Sequence, residues 1–191
     1  MDLFLAICQG LGLALAAGVG GLLALLLISV LAHVEIGWDL DGTDFQWFAG
    51  EWLILVLFVL NIGAFVLARS SVPRARVFQS LRVVVTALGA VAFAASLAEE
   101  TSTWWPGLLA GGAVTAGAAL VTESVLAGAS KRSEDTAGTM ALIAAGAGIV
   151  LVFAALFLPP VSLLAAAGLA VLAAGRRRRA GEKYEGLRSL R

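Results

Sequence analysis

The sequence predicts an all-α integral membrane protein with six transmembrane helices, arranged as a 3+3 inverted repeat. Three observations lead to this prediction. First, 60% of the residues are hydrophobic and only 14% are charged, whereas about a quarter of a soluble domain is charged. Second, several apolar runs approach the roughly 20 residues needed to cross a bilayer. Third, two apolar stretches about half a chain apart share identical residues in one register.

The apolar runs divide the chain into two sets of three predicted spans and a tail. The first set occupies residues 1–100, and its spans lie at about 3–32, 52–68 and 83–98. The second set occupies residues 101–175, and its spans lie at about 104–129, 138–158 and 161–174. A basic tail, residues 176–191, follows.

Charged residues are segregated between the two sides of the predicted membrane. All 13 Lys and Arg residues lie in the second connector, the fourth connector or the tail, which six spans would put on one side. The first, third and fifth connectors carry acidic charges and no Lys or Arg, and all five tryptophans lie on the same side as these connectors. Because connectors rich in Lys and Arg stay in the cytoplasm, the sequence predicts a bacterial inner-membrane protein with both termini cytoplasmic.

The repeat relates the first span to the fourth by a constant offset of 95 residues. Ser29–Ala32, Ser-Val-Leu-Ala, recurs as Ser124–Ala127, and other identities keep the same register. A unit of three spans crosses an odd number of times, so two joined copies lie in opposite orientations, as in many transporters. Chance identity in a chain rich in Ala, Leu and Gly is the alternative explanation.

Glu123 is the ionisable residue that lies well inside a predicted span, roughly 9 Å from the cytoplasmic end of span four at 1.5 Å per residue. A carboxylate at that depth is costly and should face the protein interior or a wet cavity. One hypothesis is an ion, proton or pore-lining site. The neighbours considered for it are Thr122, Thr115 and Asn61. The alternative is a structural ion pair with Arg82 or Lys131.

Several other functions find little support in the sequence. The single cysteine, Cys8, excludes a multi-cysteine metal site, and the single histidine, His33, gives little support for a metal site or pH sensor with Glu35. No Ser/His/Asp arrangement, paired catalytic carboxylates or phosphate loop is visible, so we expect no enzyme activity, metal or cofactor. The connector that begins at Trp38 resembles a calcium loop but lacks its closing Glu. Its interleaved aromatic residues predict a segment lying in the outer interface, with a cap over an outer vestibule as the alternative.

The expected partners are the lipid bilayer and a second protein chain. The arginines of the tail are candidates for contact with anionic lipid headgroups; they are Arg176, Arg177, Arg178 and Arg179. A topology signal with a disordered end is the alternative role for this tail. The net charge of zero gives no support for nucleic-acid binding. A chain of 191 residues leaves little room for a path within one copy, so a homodimer or a larger membrane complex is expected.

Three sequence stretches carry a family resemblance. They are AAGVGGLLALLLISVLAHV (Ala16–Val34), GTDFQWFAGEWLILVL (Gly42–Leu57) and LVTESVLAGASKRSEDTAG (Leu120–Gly138), the last leading to LFLPP at Leu156–Pro160. Over about residues 10–180 the chain resembles the bacterial membrane-protein family known as domain of unknown function 4126. The resemblance implies a polytopic inner-membrane protein with no agreed activity, and it supplies no functional residues.

Two hypotheses about function follow from the sequence. The first is a small transporter or channel for a small solute or ion, with a path between the two repeats near spans one and four. The second is a non-transporting structural subunit of a membrane complex, or a lipid-interacting scaffold. A polar path inside the bundle would favour the first, and a dry core with a large partner surface would favour the second.

Overall fold

The computed structural model is helical throughout and contains no strand in the residues that it describes, 2–69, 74–101, 103–130 and 134–188. Its six α-helices are α1 Leu3–His33, α2 Glu51–Arg69, α3 Arg74–Ala98, α4 Trp105–Ser130, α5 Glu134–Phe157 and α6 Val161–Arg188. A short 3₁₀ helix, Gln46–Ala49, lies between α1 and α2. The all-α class predicted from the sequence is thereby confirmed.

Within the described residues, four apolar segments are long enough to cross a membrane: Leu3–His33, Gln79–Ala98, Trp105–Ala127 and Thr139–Phe157. Glu51–Leu67 and Val161–Gly175 are shorter apolar helices. These segments are typical of a membrane protein. α3 begins before its predicted span and α6 continues well past its own. The added residues include good helix formers, Arg and Ala in α3 and Arg, Glu and Lys in α6.

α1 occupies the centre of the bundle and contacts each of the other five helices. In its most apolar stretch 61% of the residues are buried, against 22% in those of α4 and α5, which therefore lie nearer the periphery. Small residues permit the close approach: Gly12 faces Ala155 of α5, and Gly18 faces Ala118 of α4. Helices in lipid associate largely through such close packing.

α1 is not straight, because Gly21 interrupts it. Gly21 has φ 62° and ψ −139°, outside the helical region and in a conformation that glycine tolerates best. In a straight helix Gln9 and His33 would lie about 36 Å apart, at 1.5 Å per residue. Instead, Gln9 Nε2 donates a hydrogen bond of 3.2 Å to the backbone oxygen of Gly37, just beyond α1. The helix therefore folds back at Gly21 into two arms, residues 3–20 and 22–33, which we call the hairpin.

Both arms of the hairpin reach the same end of the bundle. Ser96 Oγ, near the end of α3, donates a hydrogen bond of 3.2 Å to the backbone oxygen of Ala6 in the first arm. Glu99 Oε1 accepts a hydrogen bond of 3.3 Å from the backbone N–H of Asp39, in the connector that follows the second arm. We call this end, which holds Asp39 and Glu99, the acidic end. We call the opposite end, where α2 ends at Arg69 and α4 ends at Ser130, the basic end.

The tip of the hairpin lies at half the depth of the bundle. A Cβ on Gly20 would lie 2.9 Å from the Cα of Gly148 in α5. Gly148 is the middle residue of the apolar segment Thr139–Phe157. The hairpin thus enters the bundle from the acidic end and turns near its centre.

This geometry differs from two predictions. The sequence predicts one crossing for residues 3–32, whereas α1 enters and leaves at the acidic end. The sequence also predicts both termini on one side, whereas the first arm begins at the acidic end and α6 runs from there toward the basic end. Hydropathy could not reveal this, because a hairpin of 31 residues, most of them apolar, has the composition of one long span. The structure therefore does not confirm the inverted repeat, which requires an odd number of crossings in the first half.

Candidate functional site

A cavity of about 310 Å³ lies between the hairpin tip and the basic end, a volume at the lower limit for small-molecule sites. Residues 18–23 of the hairpin tip form its roof. Its walls come from the halves of α2, α3, α4 and α5 that are nearer the basic end, and most of them are Ala, Leu and Val. The polar wall residues are Asn61, Arg82, Thr122 and Glu123.

The roof of this cavity is the interrupted part of α1. Where a helix ends or begins, backbone N–H and C=O groups lose their partners within the helix. At membrane depth such groups are tolerated only where protein or a water-filled cavity surrounds them. A Cβ on Gly21 would have no atom within 4 Å, so the turn borders open space.

Asn61 of α2 is bonded to the hairpin directly beside the turn. Its Nδ2 donates one hydrogen bond of 3.1 Å to the backbone oxygen of Leu22 and another of 2.8 Å to that of Leu57. Both neighbours are carbonyl oxygens, which can only accept, so the nitrogen of the amide must face them. The amide protons are therefore used, and only Oδ1 of Asn61 is left to contact anything in the cavity.

Glu123 of α4 forms an ion pair with Arg82 of α3. Arg82 Nη1 lies 3.1 Å from Glu123 Oε2, and the two side chains are 41% and 51% exposed. The structural ion pair that the sequence offered as the alternative role for Glu123 is thus observed, with Arg82 as the partner. Lys131, the other candidate partner, lies outside the described residues. Because Glu123 also lines the cavity, its role as a site residue stays a prediction that the ion pair does not contradict.

The two candidate threonines of α4 have different surroundings. Thr122 lines the cavity, and its hydroxyl donates a hydrogen bond of 3.0 Å to the backbone oxygen of Ala118. Thr115 is fully buried, and its hydroxyl donates a hydrogen bond of 3.1 Å to the backbone oxygen of Ala14 in the first arm. The structure therefore brings Glu123, Thr122 and Asn61 around one cavity, and it makes Thr115 a packing residue.

The connector after the hairpin covers the acidic end. Trp38, Phe45 and Phe48 are buried, and Phe48 receives a hydrogen bond of 2.7 Å on its backbone oxygen from Ser29 Oγ in the second arm. Trp47 is exposed, as an interfacial aromatic residue would be. The segment thus combines the two readings of the sequence: part of it caps the bundle and part of it faces outward.

A second cavity, of about 380 Å³, lies in this cap. Its lining includes His33, Glu35, Asp39, Asp41 and Glu51. His33 Nδ1 donates a hydrogen bond of 2.9 Å to the backbone oxygen of Ala49. Among the described residues, no group of three or more His, Cys, Asp and Glu side chains is arranged to hold a metal ion. The cavity is therefore an acidic basin without a metal-ligand cluster.

Glu99 closes the cap against α3. Burial raises the pKa of the Glu99 carboxyl above its ordinary value, and the hydrogen bond from the backbone of Asp39 offsets part of that rise. A layer of fully buried side chains separates the two cavities; it includes Leu25, Ile28 and Phe48. The bundle is consequently closed between the acidic basin and the cavity under the hairpin.

Reasoning from the sequence missed the roof of the cavity. The adjacent pair Gly20-Gly21 in the middle of an apolar run was a signal, since sharp helix kinks occur at glycine pairs. The side chains of the candidate lipid-binding arginines, at residues 176–179, lie outside the described part of the chain.

Comparisons with curated proteins and with solved structures found no match. A family model described as "Domain of unknown function (DUF4126)" matches residues 7–179. The matched region contains the hairpin tip and all the polar wall residues of the cavity. It covers most of the chain and confirms the resemblance found in the sequence motifs. The chain therefore belongs to the DUF4126 family.

Proposed function

We propose that the protein is a transporter that binds a small solute in the cavity under the hairpin. The observation that carries this proposal is the interruption of α1 at Gly21, at half depth and beside the cavity. Broken helices at the midplane form substrate sites in many secondary transporters. Irregular backbone at this depth also requires protein or water around it, which supports a hydrated cavity.

The proposed topology follows from the charges of the two ends. Because Lys and Arg are concentrated at cytoplasmic ends, the basic end faces the cytoplasm of a bacterial inner membrane. The hairpin then re-enters the membrane from outside, and α2 to α6 cross it. The N-terminus is outside and the C-terminus is cytoplasmic.

The packing supports a carrier more than an open channel. The two cavities lie toward opposite ends, and the buried layer with Leu25, Ile28 and Phe48 stands between them. A carrier that exposes its site to one side at a time has such a closed layer in each state. The cavity under the hairpin is thus the site of a state open toward the basic end.

Accessibility of a cysteine in the cavity tests this proposal. Ala145 lines the cavity on α5, and we would introduce Ala145→Cys after replacing the native, buried Cys8 by Ala. A membrane-impermeant maleimide should modify this cysteine rapidly from the basic end. From the acidic end the same reagent should modify the cysteine at least about tenfold more slowly. The state in which the cavity is open toward the acidic end is expected to be a minor one.

Ala147→Cys is the matched control. Ala147 is exposed, does not line the cavity and lies near Ile143 and Val150 on the outer face of α5, so it should react from neither side. Modification of Ala145→Cys from the basic end alone would contradict alternating exposure and favour a non-transporting structural subunit. Equally fast modification from both ends would indicate a channel.

A further inference from the structure

We infer that the ligand of this cavity is a small zwitterion with a compact apolar side chain, as in an aliphatic amino acid. The inference rests on the proposed function and adds the chemical class of the solute. Its first ground is charge. Among the residues whose side chains the structure describes, the ionisable ones that line the cavity are Arg82 and Glu123, whose charges cancel. A zwitterion can pair with both of these half-exposed groups at once, whereas a ligand with a single charge would leave one of them without a partner.

The hydrogen-bonding groups define the polar end of the ligand. Asn61 and Thr122 have already donated their protons, so they offer only acceptors, as does the second oxygen of Glu123. Donors come from Arg82, which uses a single N–H in its bond to Glu123 out of the five that a guanidinium carries. The cavity therefore fits a ligand with donors for Glu123 and acceptors for Arg82.

A ligand with an ammonium and a carboxylate on one carbon atom supplies donors for Glu123 and acceptors for Arg82. Its own net charge is zero, so the net charge of the cavity does not change when it binds. On binding, the ammonium takes the place of Arg82 beside Glu123, and the carboxylate takes the place of Glu123 beside Arg82. The ion pair of 3.1 Å is thereby replaced by two charge-assisted contacts, which are the stronger kind of hydrogen bond.

The apolar part of the cavity limits the size of the ligand. Above the ion pair, toward the hairpin tip, the walls include Val85 of α3 and Ala119 of α4, with the roof at Gly20 and Gly21. Val85 and Ala119 lie three and four residues from the ion pair, which is about 5 to 6 Å of helix. This depth accommodates a short branched side chain and is too shallow for the acyl chain of a lipid.

A matched set of three probes tests the inference on the purified full-length protein in lipid nanodiscs. Leucine carries both charges, leucinol carries only the ammonium, and N-acetylleucine carries only the carboxylate. Isothermal titration should show that leucine binds at least about tenfold more tightly than either analogue, since loss of one charged contact is worth about that factor. Glu123→Gln should weaken leucine binding by a similar factor, and the control Asp44→Asn, at an exposed residue of the acidic end, should leave it unchanged.

Tighter binding of leucinol or N-acetylleucine than of leucine would overturn the zwitterion assignment and leave the transporter proposal intact. Absence of binding by all three probes would also overturn the assignment. Failure of the transporter proposal has a separate signature, the one-sided modification of Ala145→Cys. Leucine binding that survives Glu123→Gln would show that the ion pair is not the polar subsite.

Discussion

Gly21→Ala is expected to destabilise the protein by on the order of 1–3 kcal/mol, because the substitution forces a residue with a Cβ into the φ 62°, ψ −139° conformation. Steric overlap with other residues plays no part, since no atom lies within 4 Å of the added Cβ. The penalty is therefore purely conformational. Thermal unfolding of the detergent-solubilised protein would measure it as a lower Tm and a smaller monodisperse fraction.

Gly146→Ala in α5 is the matched control for Gly21→Ala. Its Cβ also meets no atom within 4 Å, but Gly146 is helical, and alanine in a helix interior is more favourable than glycine by about 1 kcal/mol. The two substitutions should therefore change the Tm in opposite directions. If Gly21→Ala also raised the Tm, α1 would be a continuous helix and the hairpin would be contradicted.

Gly148→Val is expected to separate α5 from the hairpin tip. A Cβ on Gly148 would lie 2.8 Å from the backbone nitrogen of Gly20 and would overlap its Cα. Backbone atoms cannot move aside as a flexible side chain can, so the cost should be at least the 1–3 kcal/mol typical of overpacking. We expect a large loss of monodisperse protein on size-exclusion chromatography.

The matched control for Gly148→Val is Gly146→Val, two residues away on the same helix. Gly146 has open space around it, so the same volume is added without contact with the hairpin. Equal yields and equal Tm values for the two valine variants would contradict the close crossing of α5 and the hairpin tip.

The class of the protein could be predicted from the sequence because hydropathy is a property of single residues summed over a window. Polar residues such as Arg82 and Glu123 could be recognised as candidates for the same reason. The sequence could offer the ion pair between them only as one of two hypotheses, because it depends on which faces of α3 and α4 are turned toward each other. The same limit applies to α4 itself: Thr115 and Thr122 are two turns apart, and only packing decides which of them meets the cavity.

The hairpin was not predicted, because composition does not distinguish a long span from two antiparallel arms, and the glycine pair Gly20-Gly21 was the sign of it. The identical serines of the repeat can be compared in the structure. Ser29 and Ser124 occupy matching positions in the Ser-Val-Leu-Ala tetrapeptides. Ser29 is fully buried and bonds to the backbone of Phe48, whereas Ser124 is exposed and bonds to Val121 in its own helix. The identical residues therefore have different surroundings in the two halves.

The central claim is that α1 turns back at Gly21, and the sidedness of the N-terminus tests it most directly. In protein carrying Cys8→Ala, single cysteines would be introduced as Asp2→Cys, Asp44→Cys and Ser189→Cys, before the hairpin, after it and in the tail. A membrane-impermeant maleimide would then be applied to intact and to lysed spheroplasts. We predict that Asp2→Cys and Asp44→Cys react in intact spheroplasts and that Ser189→Cys reacts only after lysis. Reaction of Asp2→Cys together with Ser189→Cys, on the side opposite to Asp44→Cys, would contradict the hairpin and restore six crossings.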